Sequence, residues 1–398
     1  MTRNGNPEDF SLRSIAVPAF GPSLLFGIGE GAILPIIPLT ARAMGSSIAE
    51  ASLIVALLGI GSLVSNIPAS LATARFGERR SMLGAAVLSL TAMLVCVFAP
   101  GLWVLALGVF LVGAAAAVFN LARQSYLTEA VPPIMRARAM STLGGVARIG
   151  IFIGPFVGAL IIHLAGLPGA YWVAAVAVTA AGAVAWQLPD LATGSGAEPA
   201  GPQPTIAALI ATHRRVLLSV GVGVLLVSAV RSSRQVVVPL WAESLGLSPA
   251  TTSLIYGLSG AVDMLIFYPA GKIMDLKGRT WVAIPAMVLM GLGLLLMPLS
   301  HSAATLLVVA LLLGFGNGLS SGLIMTLGAD YSPRHGRAQF LGIWRFMSAA
   351  GGSGGPAILA FLTAAVTWSF GIAAAGVLGL AAAAVLGLSV PRNPPLTR

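Results

Sequence analysis

Seven ionisable side chains sit inside long apolar stretches of this 398-residue chain: Glu30, Arg123, Arg148, Arg231, Arg234, Asp263 and Arg345. A charge held within a bilayer costs at least ~2.5–3.5 kcal/mol, so each is a candidate for handling a proton, an ion or a solute. Glu30 lies about fifteen residues, hence ~22 Å of helical rise, into its apolar stretch. Burial and an adjacent arginine would act on its carboxyl in opposite senses, so it could release a proton when a neighbour moves. Asp263 falls near the middle of its own stretch and is the second proton-carrier candidate. Arg231 and Arg234 are three apart and share one helical face. They are expected to meet Glu30 and Asp263 across a polar interior, either as a working set or as a static neutral cluster. Arg148 and Arg345, the latter beside Trp344, could hold an acceptor or anionic group of a solute, or snorkel toward water. Arg123 lies near a membrane boundary, where interfacial packing is expected. Gln235, Asn66, Asn120 and Asn317 complete the candidate lining of a solute cavity.

The elements that must position these residues follow from composition. With 57% apolar and 9% charged residues, and a mean hydropathy of +0.94, the chain is no soluble globule, since ordinary domains carry roughly 25% charged residues. Most of it falls in apolar runs of the ~20 residues needed to cross a bilayer. Such runs must be helical because lipid offers no partner to an open backbone group. Twelve spans are predicted, at roughly 15–39, 51–73, 81–98, 102–127, 139–164, 168–188, 216–240, 251–271, 281–299, 302–329, 338–363 and 367–390.

The spans repeat at an offset of 201 residues (356 − 155), as when Gly154-Pro155 recurs as Gly355-Pro356. Ser52-Leu53-Ile54 recurs as Ser253-Leu254-Ile255, and Gly45, Pro68 and Gly77 recur as Gly246, Pro269 and Gly278. Such a period implies two copies of one architecture, predicted as 1–190 and 215–398, with residues 191–214 a polar, Gly- and Pro-rich linker. Six spans per copy make the repeats parallel, with a solute site expected between them near mid-bilayer. The scaffold positions match across the offset, but the charges do not. Glu30 falls on Arg231, Ile33 on Arg234, Ser62 on Asp263, Arg148 on Ala349 and Gly144 on Arg345. Charges needed to fold both copies should have been kept in both, so these point to a solute or a proton.

The net charge of +10 is topogenic. With the N-terminus inside, sixteen Lys and Arg residues fall on inner segments, from Arg3 and Arg75 to Lys277 and Arg398, while the outer loops hold only Arg42. This asymmetry places both termini in the cytoplasm and removes the case for a nucleic-acid partner. Trp103, Trp172, Trp186, Trp241, Trp281 and Trp368 mark span ends. The one cysteine, Cys96, excludes an internal disulfide and a Cys-based metal cluster. The N-terminal apolar run is too long for a cleaved signal and is read as an anchor. No Walker loop is present, the four His are scattered, and no channel filter is written. The chain is therefore read as neither an enzyme nor an ATP-driven pump, with no cofactor and no metal.

Between the eighth and ninth spans, Gly271-Lys-Ile-Met-Asp275-Leu-Lys-Gly278-Arg279 resembles the loop signature of the major facilitator superfamily. The first copy, with Ser70, Ala74, Arg75 and Gly77, departs from that pattern at Gly and Asp. Gly150-Ile-Phe-Ile-Gly154-Pro155-Phe-Val-Gly158 is similar to the antiporter element of that superfamily, and Pro35-Ile-Ile-Pro38 to an ending common in its exporters. Position 141 is Ser where the long element has Gly, and Val109 stands where drug-proton antiporters often carry Arg. The resemblance implies an all-α membrane fold of two six-helix bundles around a central cavity, four charge-free outer spans (3, 6, 9 and 12), and alternating access. It implies that Asp275 latches the two halves by meeting Arg136 or Arg138. It further implies a multi-pass protein of a bacterial inner membrane, working mostly as a monomer with protons and a small molecule as partners. The function expected is proton-coupled efflux of small amphipathic or drug-like compounds. The alternative is proton-coupled symport or exchange of an organic anion or metabolite, which the five intramembrane arginines against two acids favour.

Overall fold

The computed structural model describes residues 16–131, 136–189, 205–333 and 337–391. The first part of the chain forms α1 (Ala16–Ile33), α2 (Ile37–Ala43), α3 (Ile48–Phe76), α4 (Glu78–Val97), α5 (Leu102–Ala130), α6 (Arg136–Ala165) and α7 (Pro168–Trp186). Then come two short pieces, α8 (Ile206–Thr212) and α9 (Arg214–Val216), and a π-helical turn at Leu217–Gly221 that opens α10 (Val222–Ser244). The rest is α11 (Pro249–Lys277), α12 (Thr280–Leu296), α13 (Ala303–Ser320), α14 (Leu323–Tyr331), α15 (Arg337–Ala365) and α16 (Trp368–Ser389). There are no strands among the described residues.

Eleven described helices or helix pairs are long and apolar enough to cross a membrane. The expected eleventh span is α15, 29 residues long, and it stands outside those eleven. The run Gly351-Gly-Ser-Gly-Gly355 in its middle replaces apolar bulk with backbone. Two expected spans are broken. The first divides at residues 34–36, where Pro35 cannot donate and Ile36 N–H falls back on the Ile33 carbonyl at 2.8 Å. The tenth divides at Ser321–Gly322, where the Ser320 hydroxyl donates to the Asn317 carbonyl at 3.0 Å and Ser321 N–H to that of Gly318 at 3.3 Å. Side-chain and short-range bonds thus take up the groups that the breaks release. Trp103, Trp172, Trp186 and Trp281 are exposed along with many leucines and valines, the surface a lipid solvent asks for.

The chain packs as two compact units, Met1–Ile36 with Gly61–Ser195, and Ile37–Ile60 with Gly196–Arg398. In this grouping α2 and the beginning of α3 belong with the second half of the chain. In the first unit, α1 crosses α6 backbone to backbone. A Cβ at Gly31 would collide with the Ile151 carbonyl, one at Gly150 with that of Leu24, and one at Gly154 with that of Ile28. Beside this seam Phe26 stacks on Phe119 at 4.2 Å, among Met82, Tyr126 and Val178. In the second unit, Gly351 meets the Leu225 carbonyl and Gly355 that of Ala229. All four are the 201-offset mates of Gly150, Leu24, Gly154 and Ile28, so the crossing repeats at those two contacts.

Candidate functional site

Each unit carries its own set of intramembrane charges. In the first, Glu30 on α1 interacts electrostatically with Arg123 on α5. The guanidinium of Arg123 lies 6.0 Å from the centroid of the Phe119 ring, which the stack on Phe26 fixes in place. Arg123 is a residue that sequence reasoning assigned to interfacial packing. Its signal was a charge on the first copy's fourth span with no counterpart on the second, since position 324 is Ile.

In the second unit the set is larger. Arg231 on α10 donates through Nε to Asn317 Oδ1 at 2.9 Å, and Asn317 Nδ2 donates to Asp263 Oδ2 on α11. One amide therefore joins a cation to an acid. The backbone explains why Asp263 sits there. Gly314 and Gly318, four apart on α13, lie against the carbonyls of Ser259 and Asp263, four apart on α11, with no room for a Cβ at either glycine. Three residues after Arg231, Arg234 donates through Nη2 to Ser259 Oγ at 3.0 Å and lies over the Tyr256 ring at 5.4 Å. Asn317, expected only as a lining residue, is thus the link of the cluster. Within its own unit, the basic neighbour of Glu30 is Arg123.

The other expected lining residues are distributed differently. Asn66 and Asn120 are exposed and Gln235 is half-buried, and no hydrogen bond joins them to either cluster. Arg148 is half-buried and Arg345 exposed. Trp344, a candidate for lining the solute cavity, packs inside the second unit. It is 2% exposed, donates from Nε1 to the Ile324 carbonyl at 2.9 Å, and stacks on Phe340 at 5.9 Å. Its ring also fills the space where Gly328 lacks a side chain, so it locks α15 to α14.

The loop signature forms a compact ion cluster. Gly278 turns the chain between α11 and α12 at φ 102°, as Gly77 does between α3 and α4 at φ 81°. Arg279 grips Asp330 at the end of α14 through Nε at 2.8 Å and Nη2 at 3.3 Å. Its Nη1 donates to the Met274 carbonyl at 2.8 Å and to Asp275 Oδ1 at 3.3 Å. Hydrogen bonding to Asp330 holds the Arg279 proton more tightly than usual. Gly271 has open space where a Cβ would go. The expected partners of Asp275, the side chains of Arg136 and Arg138, lie outside the described residues. At the matching place in the first unit Glu78 accepts from Ser125 at 2.9 Å, Arg79 lies over Trp186 at 5.7 Å, and Arg75 lies over Phe76 at 5.5 Å.

A further ion pair went unread in the sequence. Arg42 Nε reaches both oxygens of Glu243, at 3.2 and 3.0 Å, and Arg42 also donates to the Ser46 carbonyl. The two residues are 201 apart, so each is the repeat mate of the other. Opposite charges at one offset position were the available signal. Among the described residues no group of His, Cys, Asp and Glu could hold a metal.

Comparison with known proteins supplies the family. The sequence profile of the Major Facilitator Superfamily matches residues 22–232 and 220–398. Inositol transporter 4 of Arabidopsis thaliana is 30% identical over 115 residues, 29% of this chain and 20% of that protein. The chain thus matches about a fifth of the length of that relative. The structure of a nucleoside transporter, NupG, superposes with a TM-score of 0.76 at 13% identity, covering 94% of this chain and 99% of the other. That of a D-xylose-proton symporter does so with a TM-score of 0.71 at 17% identity, covering 96% and 98%.

Proposed function

The chain belongs to the major facilitator superfamily, and from that premise we propose that it is a proton-coupled secondary transporter of a small organic solute, with the proton carried at Asp263 and Glu30. The observation that carries this reading is the line Asp263–Asn317–Arg231. Asn317 offers its amide hydrogens to Asp263 Oδ2 and its oxygen to the guanidinium, an orientation that requires Oδ2 itself to carry no proton. A proton arriving at that oxygen makes it a donor facing a donor. The amide must then turn, which sets its hydrogens against those of Arg231 and breaks that hydrogen bond. Protonation at one residue is thereby felt as a lost hydrogen bond on another helix. A buried group left without its partner costs about 1–3 kcal/mol, enough to bias a two-state equilibrium five- to a hundredfold.

Glu30 and Arg123 supply the matching acid–base pair of the first unit. The solute we propose is a metabolite-sized polar compound. The relative and the solved neighbours named above are transporters of inositol, nucleoside and xylose, and the guanidinium, amide and carboxylate groups of this chain's clusters can hydrogen-bond polar solutes. Export of amphipathic compounds, the expectation drawn from the Gly150–Pro155 element, has less behind it. The same glycine crossing recurs in the second unit, where it packs α10 against α15. An element present in both copies for packing does not single out antiport.

The test is proton movement. Proteoliposomes loaded with a pH-sensitive dye are challenged with inositol, xylose, uridine, pyruvate or citrate. At least one should move protons, and Asp263→Asn should abolish the signal. Proton movement by Asp263→Asn protein equal to that of the parent would defeat the reading.

A further inference from the structure

Arg234 is only 5% exposed, in a stretch where Val236, Val237 and Val238 are fully buried. Of the five N–H donors of its guanidinium, one is used, from Nη2 to Ser259 Oγ at 3.0 Å. Ser259 spends its own hydrogen on the Ala310 carbonyl, so it meets Arg234 purely as an acceptor. The Tyr256 ring, 5.4 Å away, offers a π-face but no anion. Nε is buried and has no hydrogen-bond partner, and none of the ion pairs among the described residues includes Arg234. A cation withdrawn from water without a counter-charge is costly. Nothing in the architecture asks for one there. The repeat mate, Ile33, is 1% exposed, so the first unit fills the same position with hydrocarbon.

We infer that Arg234 is an anion-binding residue of the second unit, its guanidinium taking a carboxylate or a small inorganic anion through donors that Ser259 leaves open. This deepens the proposed function by assigning an anionic group to whatever the cluster of Arg231, Asn317 and Asp263 serves, and it rests on that reading only if the anion belongs to the transported solute. Arg231 is engaged with Asn317, which leaves Arg234 as the cation of the face with open donors. Ser259 and Tyr256 orient its plane.

The experiment is thermal unfolding of the purified full chain in detergent at fixed pH and low salt, titrated with potassium chloride or potassium pyruvate. A ligand at a hundred times its Kd should raise Tm by about 5 °C. The rise should be saturable in the parent protein and absent in Arg234→Gln. In Arg234→Lys, which keeps the charge but loses the planar fork, the anion should bind at least fivefold more weakly. A rise with pyruvate but not chloride identifies the carboxylate of a solute. A rise with both identifies a small anion resident in the fold. The same saturable rise in Arg234→Gln, or none in the parent with either salt, overturns the assignment. If Arg234→Gln does not fold, an unchanged affinity in Arg234→Lys overturns it instead. Because no proton gradient is used, anion binding and proton coupling can fail independently. Loss of proton movement with intact binding defeats the proposed function alone.

Discussion

At the end of α2 and at the end of α10 the chain turns in the same way. Gly45 and Gly246 take positive φ, 85° and 74°, and their N–H groups close on the carbonyls of Arg42 and Glu243 at 2.9 and 2.8 Å. The backbone is one design used twice, but the side chains carried three residues before each glycine have opposite charge and bind each other. The same contrast runs through both copies. Glu30 answers Arg231, Glu78 answers Arg279, Ser62 answers Asp263 and Ile33 answers Arg234. The contacts that must repeat are those in which helices touch through glycine, because backbone approach tolerates no added atom. The side chains that diverged are those that pair with one another or to which we assign a proton or a solute, and there an identical residue in both copies would be a repeated charge.

The glycine seams should give the largest effect when broken, and equally in both copies. Gly154→Val and Gly355→Val each push a branched side chain into a carbonyl of the crossing helix. Each should cost about 3 kcal/mol or more, the upper range for overpacking, read as a fall in Tm or in yield of folded protein. A large loss in one copy and none in the other would break the claim that the crossing is shared scaffold. The charge clusters should respond unequally. Asn317→Leu removes the link between Arg231 and Asp263 and should lower proton-driven accumulation at least tenfold. The mate, Ala116, can become Leu with loss confined to stability, measured in the same flux assay beside a melting curve.

At the loop turns the asymmetry is smaller. Asp330→Asn removes the two-pronged grip on Arg279 and should cost about 1–2 kcal/mol. Glu78→Gln, which only weakens a bond from Ser125, should cost less than half of that by thermal unfolding. The smallest effect belongs to the half-exposed pair. Arg42→Glu should weaken stability or transport by no more than about 1 kcal/mol. The double exchange Arg42→Glu with Glu243→Arg should recover most of it, since the mates simply trade places, and a double mutant worse than either single one would show that the pair does not act as a pair.

Much of this was legible before any coordinates. The apolar runs set the helices, and the 201 offset set the duplication, because a repeated backbone contact leaves repeated glycines. The breaks at Pro35 and Ser321–Gly322 were less visible, since proline and glycine are also tolerated inside membrane helices and nothing local says which will interrupt one. The sequence also picks out the charged residues, but not who pairs with whom. Arg123 reads as interfacial because it lies late in its span, yet it sits beside Glu30. Asn317, an amide among many polar residues, becomes the centre of a cluster only when α11 and α13 close on Gly314 and Gly318. Trp344 reads in sequence only as the neighbour of Arg345, and it is a buried brace in the fold because Gly328 lacks a side chain.

The central claim is that Asp263 carries the coupling proton rather than merely holding a helix, and a split measurement on Asp263→Asn tests it most directly. In proteoliposomes with the solute identified by proton movement, the variant should still exchange labelled for unlabelled solute at near the parent rate, while accumulation driven by a pH gradient falls to background. Full accumulation against the gradient with Asn at position 263 would contradict it.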